Sequence, residues 1–180
     1  MKRQQLLLLI LAFGVFSILN TEMGIIGILP MAAEMYQVDI VQAGMLVSLF
    51  ALGVAIAGPT MPLLFSRFNR KHVMLLVLGV FTICNALAVV ASDFQLLLVL
   101  RVVPAFFHPV YCALAFSMAA ASVAPEDAPR AVARINMGVA AGMVVGVPIS
   151  NVLAATFDFS MAMVFFAGVT GLMFLLTMAF

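Results

Sequence analysis

Residues 16–30, FSILNTEMGIIGILP, set Asn20, Thr21 and Glu22 inside an otherwise apolar run. Positions 6 to 19 are all apolar or small, and the chain turns apolar again at Met23. A carboxylate enclosed this way has no wet helix face to occupy.

The rest of the chain extends the pattern. Of 180 residues, 66% are apolar and 8% charged, against roughly 25% charged and under half apolar in a soluble domain. Such a sequence cannot cover a water-facing surface, so the expected class is an all-α integral membrane protein. A net charge of +1 with no basic face excludes a nucleic-acid partner. Cys84 and Cys112 lie in apolar runs and read as buried thiols. No Cys/His spacing suits zinc, so no metal or cofactor is expected. Lys2 and Arg3 followed by leucines imitate a signal peptide. The apolar stretch runs on to Pro30 without a small-x-small cleavage site, which makes it a retained first helix.

About 20 apolar residues cross a bilayer as a helix. Six stretches qualify: 6–30, 43–65, 73–91, 94–123, 135–155 and 161–180. They are continuous rather than alternating, which favours helices over barrel strands. Short polar breaks separate them. Lys2 and Arg3, then Arg67, Arg70 and Lys71, then Arg130 and Arg134 fall on one side, while the other side carries Glu34, Asp39, Asp93 and Asp158. The positive-inside rule then places the N-terminus and the basic loops in the cytoplasm, with the chain in the cytoplasmic membrane.

One basic residue, Arg101, lies inside the fourth span. A charge at mid-membrane costs roughly 2.5–3.5 kcal/mol on insertion scales and faces a partner or a water-filled cavity. Glu22 lies eight residues before Pro30, and Arg101 eight residues after Asp93. At 1.5 Å per residue both sit about 12 Å below the same surface. The spacing therefore predicts an interior carboxylate–guanidinium couple. It reads either as a site that takes up and releases a proton or as a fixed ion pair that orders the helices, with the first reading preferred. Asn85 falls near the same level, as cavity lining or as interhelical glue. His108, one heptad after Arg101, suits a relay; the reading adopted is a neutral ring bonded to a backbone carbonyl. Asn20 and Asn151 are further cavity candidates, Asn151 with Ser150 equally serving as a helix-end cap.

The two halves of the chain match weakly. Each opens on a helix with a buried charge, Glu22 or Arg101, and continues with a glycine-interrupted helix closed by proline, GVAIAGPTMP from Gly53 and GVAAGMVVGVP from Gly138. Three helices per unit makes the units inverted, so the expected fold is six transmembrane helices as 3+3 inverted repeats. Paired broken helices of this kind mark transporters, although Gly138, Gly142 and Gly146 also permit close packing.

These segments resemble the major facilitator superfamily, and within it the proton-driven exporters of the arabinose-efflux and purine-nucleoside-efflux type. TEMGIIGILP is similar to the first-helix element, QAGMLVSLFALGVAIAGP to the second helix, LLLVLRVVPAFFHPVYCALA to the fourth, and GVAAGMVVGVPIS to the exporters' glycine-rich fifth-helix motif. The resemblance implies that Glu22 handles protons and cations, that Arg101 takes part in proton coupling, and that Gly138, Gly142, Gly146 and Pro148 form a packing and gating motif. The family loop G-x-L-x-D-R-x-G-R-K/R survives only as Arg67, Arg70 and Lys71, without its glycines and aspartate. Those three residues then grip nearby helix carbonyls or only set topology.

The resemblance implies proton-coupled efflux, an antiport driven by the proton gradient, of a small organic molecule. Superfamily members have twelve helices, so the 180 residues read as an N-terminal half whose partner is a C-terminal half or a second copy, within the lipid bilayer. The alternative is an inactive fragment, or a half that only packs on a partner chain. No channel filter, G-x-S-x-G nucleophile or phosphate-binding G-x-x-x-x-G-K-[ST] is present, and an enzyme is not expected.

Overall fold

The computed structural model describes residues 2–180 and is helical almost throughout. In chain order the helices are α1 (Lys2–Gly27), α2 (Leu29–Tyr36), α3 (Ile40–Ala57), α4 (Met61–Phe65), α5 (Arg70–Val89) and α6 (Phe94–Ala121). A 3₁₀ turn (Pro125–Asp127) leads into α7 (Ala128–Ala141), a π-helical segment (Gly142–Gly146), α8 (Val147–Thr156) and α9 (Phe159–Ala179). Among the described residues six stretches are long and apolar enough to span a membrane: Arg3–Gly27, Ile40–Ala57, Arg70–Val89, Phe94–Ala121, Pro125–Thr156 and Phe159–Ala179.

The breaks have local causes. Pro30 sits in the first turn of α2, where its missing N–H is harmless, and the chain bends at Ile28, whose N–H returns to the Ile25 carbonyl. The stretch expected at 43–65 divides because Pro59 follows Gly58 and ends α3. α6, by contrast, runs unbroken through Pro104 and Pro109. The fifth span widens into the π segment just before Pro148, which cannot donate to the carbonyl four residues back.

Three aspartates do more than mark topology. Asp39, Asp93 and Asp158 each accept the N–H three residues on, from Gln42, Leu96 and Met161, and so cap α3, α6 and α9. Such a cap is worth about 1 kcal/mol, and the negative charge suits a helix N-terminus. Tyr36 ties this acidic end together, donating to the Ala91 carbonyl at 3.2 Å. Burial, and then the Asp93 carboxylate, raise its phenol above the ordinary tyrosine range, so it stays a donor.

α1 is the central strut and touches every other span. α5 lies along α9, α3 along α6, and α1 along the fifth span. Exchanging spans one to three for four to six turns the α3–α6 packing into the α1–fifth-span packing and leaves α5–α9 unchanged, which is the geometry of inverted repeats. The apolar core falls into two clusters. One, at the basic end, holds Leu8, Leu11, Val15 and Ile18 of α1; the other, at the acidic end, holds Ile25, Ile28 and Ala32. Between them α1 contributes the layer Asn20, Thr21 and Glu22.

Candidate functional site

The layer is built outward from one turn of α1. Thr21 Oγ1 donates to the Ser17 carbonyl at 3.1 Å and accepts from Asn85 Nδ2 of α5 at 3.2 Å. On the other side Arg101 of α6, only 2% exposed, donates Nη1 to the Thr21 carbonyl at 2.9 Å and Nη2 to the Glu22 carbonyl at 3.4 Å. Its guanidinium carbon lies 5.1 Å from the centre of the Phe50 ring of α3, a cation–π distance. Two helices, α5 and α6, are thus pinned to adjacent residues of α1, and α3 packs on the guanidinium that makes one of those ties.

The sequence-predicted couple is present at one level but is wired differently. Arg101 holds the α1 backbone, and the Glu22 carboxylate turns instead to His108, with Oε2 2.9 Å from Nε2. This is a close carboxylate–imidazole contact, and Oε2 has no hydrogen-bond partner among the described residues. The backbone-bonded neutral histidine expected for position 108 gives way to a carboxylate neighbour, the acid partner that the sequence did not reveal. The physical reason is reach: seven residues advance α6 by two turns on nearly the same face, which aims both Arg101 and His108 at α1.

His108 stands edge-on to Phe50 with ring centroids 6.0 Å apart, and Cys112 Sγ lies 4.0 Å from Nε2. The Glu22 and His108 side chains are 17% and 12% exposed, while Glu22 Oε2 and His108 Nδ1 are themselves buried. Arg101 Nε and His108 Nδ1 lack hydrogen-bond partners among the described residues. A carboxylate, an imidazole and a fixed guanidinium thus meet in one layer.

The remaining candidates are distributed around this layer. Asn85 joins it through Thr21. Asn20 is fully buried with neither amide atom bonded among the described residues, and packs where a Cβ on Gly146 would fall. Asn151 of α8 lies against Gly27, with Ser150 Oγ donating to the Val147 and Gly24 carbonyls at 2.9 and 3.4 Å. Gly138 and Gly142 seat the fifth span on the backbone of Ala12 and Phe16, and Pro148 opens α8 just beyond the π segment. Arg67, Arg70 and Lys71 stay at the basic end, away from the layer; Lys71 Nζ donates to the Met178 carbonyl in the last turn of α9 at 2.9 Å. Phe50, Thr21 and Cys112 complete the site without having been expected. Only Cys112 left a signal, the four-residue spacing from His108.

Comparison with known proteins agrees with this architecture. Residues 11–180 match the family model of the Major Facilitator Superfamily. The inner membrane transport protein YdhP of Escherichia coli K12 is 34% identical over 161 residues, covering 89% of this chain and 41% of that protein. The putative transporter AraJ of the same organism is 29% identical, covering 84% and 38%. A probable sugar efflux transporter of Helicobacter acinonychis is 25% identical, covering 93% and 43%. The chain therefore spans about two fifths of the relatives it matches. A solved structure of a bacterial homologue of the human lysosomal transporter Spinster, inward-facing and unoccupied, superposes with a TM-score of 0.77 at 20% identity, over 98% of this chain and 42% of that one. With the matched segment covering nearly the whole sequence and six spans packed as one half of the fold, this multi-pass membrane chain belongs to the Major Facilitator Superfamily, a family of transporters rather than enzymes.

Proposed function

We propose that the chain forms the proton-handling half of an exporter, which exchanges protons for a small organic molecule across the cytoplasmic membrane. The basic end faces the cytoplasm, and a C-terminal half or a second copy closes the cavity. The observation that carries this reading is the 2.9 Å contact of Glu22 with His108 beside Arg101, three ionisable groups in one buried layer. With Arg101 charged, Glu22 ionised and His108 neutral, the layer is neutral overall. One added proton on the Glu22–His108 pair makes it +1. A bound cation or proton-donating solute loses its carboxylate at that step, so proton and substrate compete for Glu22. Competition for one group is the simplest coupling that antiport requires. The efflux assignment of one relative supports the direction of transport.

The test uses the full-length transporter in proteoliposomes with a panel of organic cations and sugars, binding being read at pH 6 and pH 8. Wild-type affinity for a transported compound should change on the order of 5–150-fold between the two. Glu22→Gln should bring that ratio close to one and stop flux driven by a pH gradient. Undiminished pH-driven flux in Glu22→Gln sinks the proposal. Absence of any flux in the wild type favours the half that only packs on a partner chain.

A further inference from the structure

A large cavity lies apart from the Glu22 layer. It is a groove of about 710 Å³ between α1 and the fifth span, walled by Leu9, Phe13 and Phe16 on one side and Met137, Ala141 and Val145 on the other. Its polar side chains are Gln5 and Arg134, both at the basic end. There it adjoins a smaller recess of about 210 Å³, which shares Gln5 and Arg134 and adds Gln4, Asp127 and Arg130. The recess is not uniformly cationic, because Asp127 accepts from Arg130 at 3.4 Å. Arg134 has no carboxylate within salt-bridge distance among the described residues. The whole is a long apolar slot with one unneutralised guanidinium at the end where basic residues collect.

From Gln5 to Phe16 the slot runs about 16 Å along α1 at 1.5 Å per residue, long enough to take an extended stretch of hydrocarbon chain. Outward-standing Leu9, Phe13 and Met137, 55%, 56% and 70% exposed, flank the slot as lipid-facing side chains would.

We propose that this groove binds an anionic phospholipid, with one acyl chain lying between α1 and the fifth span and the phosphate held by Arg134 and Gln5. Basic pockets between transmembrane helices recognise anionic headgroups in this way. The site stands on the α1–α7 side of the bundle and does not depend on proton coupling at Glu22.

Native mass spectrometry of the purified full-length protein tests it, with phosphatidylglycerol and phosphatidylcholine of identical chains offered at equal concentration. Wild type should retain phosphatidylglycerol in preference. Arg134→Gln should reduce that preference about fivefold, the equivalent of one guanidinium at about 1 kcal/mol. Arg67→Gln, an equally exposed charge at the same end but outside the groove, should leave it intact. Met137→Trp, which fills the slot from its exposed rim, should lower retention of both lipids. Equal retention of the two headgroups by wild type overturns the proposal, as does equal loss in Arg67→Gln and Arg134→Gln. A groove closed off by another part of the transporter would give no response to Arg134→Gln or Met137→Trp, and that result too overturns it.

Discussion

Arg101 shows how one residue can order a membrane bundle. Its two terminal nitrogens reach successive carbonyls of α1, and its guanidinium carbon lies over the Phe50 ring of α3. A lysine keeps the charge but offers a compact ammonium that cannot span both carbonyls or stack in the same plane. Hydrogen bonds from charged donors contribute about 1.5–3 kcal/mol. Arg101→Lys should therefore destabilise the full-length protein by about 2 kcal/mol, read as a lower midpoint of thermal unfolding in detergent. Glu22→Gln, which leaves these backbone bonds in place, should unfold close to wild type. Equal midpoints for Arg101→Lys and wild type would show that the fork is not a structural tie. At this scale the sequence revealed the level of Glu22 and Arg101, because helix rise is fixed. It did not reveal which acceptor each side chain takes. Arg101 is long enough to choose between a carboxylate and the carbonyls behind it, and the choice depends on helix rotations that no single span encodes.

Between residue and bundle, glycine position separates packing from mere flexibility. Gly138 sits on Ala12: a Cβ there would overlap the Ala12 carbonyl oxygen and lie 2.9 Å from its carbon. Backbone cannot move aside as a flexible side chain does, so α1 and α7 would have to part. Gly44 on α3 has nothing within 4 Å of the same point. Gly138→Ala should therefore cost about 1–3 kcal/mol as overpacking. Gly44→Ala should be neutral or stabilising by up to about 1 kcal/mol through helix propensity. Unfolding midpoints of the two variants decide this, and a harmless Gly138→Ala would deny the close α1–α7 crossing. The glycine spacing of the fifth span made this crossing legible in the sequence. The π segment was not legible, since it arises from Pro148 meeting a helix already committed to close packing against Phe16 and Asn20. Nor were the caps of α3, α6 and α9, which topology counting had treated as charges alone.

At the level of the whole molecule, hydropathy and the alternation of basic and acidic connections determine the arrangement. Six apolar runs must be helices because lipid leaves no other way to satisfy their backbones, and short polar breaks force neighbouring spans to run in opposite senses. The charge asymmetry should then fix which way the bundle faces. The end that carries Arg67, Arg70, Lys71 and Arg130 also carries the unneutralised Arg134 of the groove, while Asp39, Asp93 and Asp158 cap helices at the other. The positive-inside rule predicts that the basic end stays in the cytoplasm. The expectation is open to a direct labelling experiment in a background carrying Cys112→Ala, with Cys84 left buried in the core. A membrane-impermeant maleimide added to intact cells should label Gln37→Cys and Asp158→Cys, both exposed at the acidic end. Arg67→Cys and Arg130→Cys, exposed at the basic end, should react only after the membrane is opened. The reverse pattern would place the basic end outside. The direction of exchange proposed for Glu22 and the leaflet that supplies the groove's lipid would then both have to be inverted, although neither site would lose a single contact.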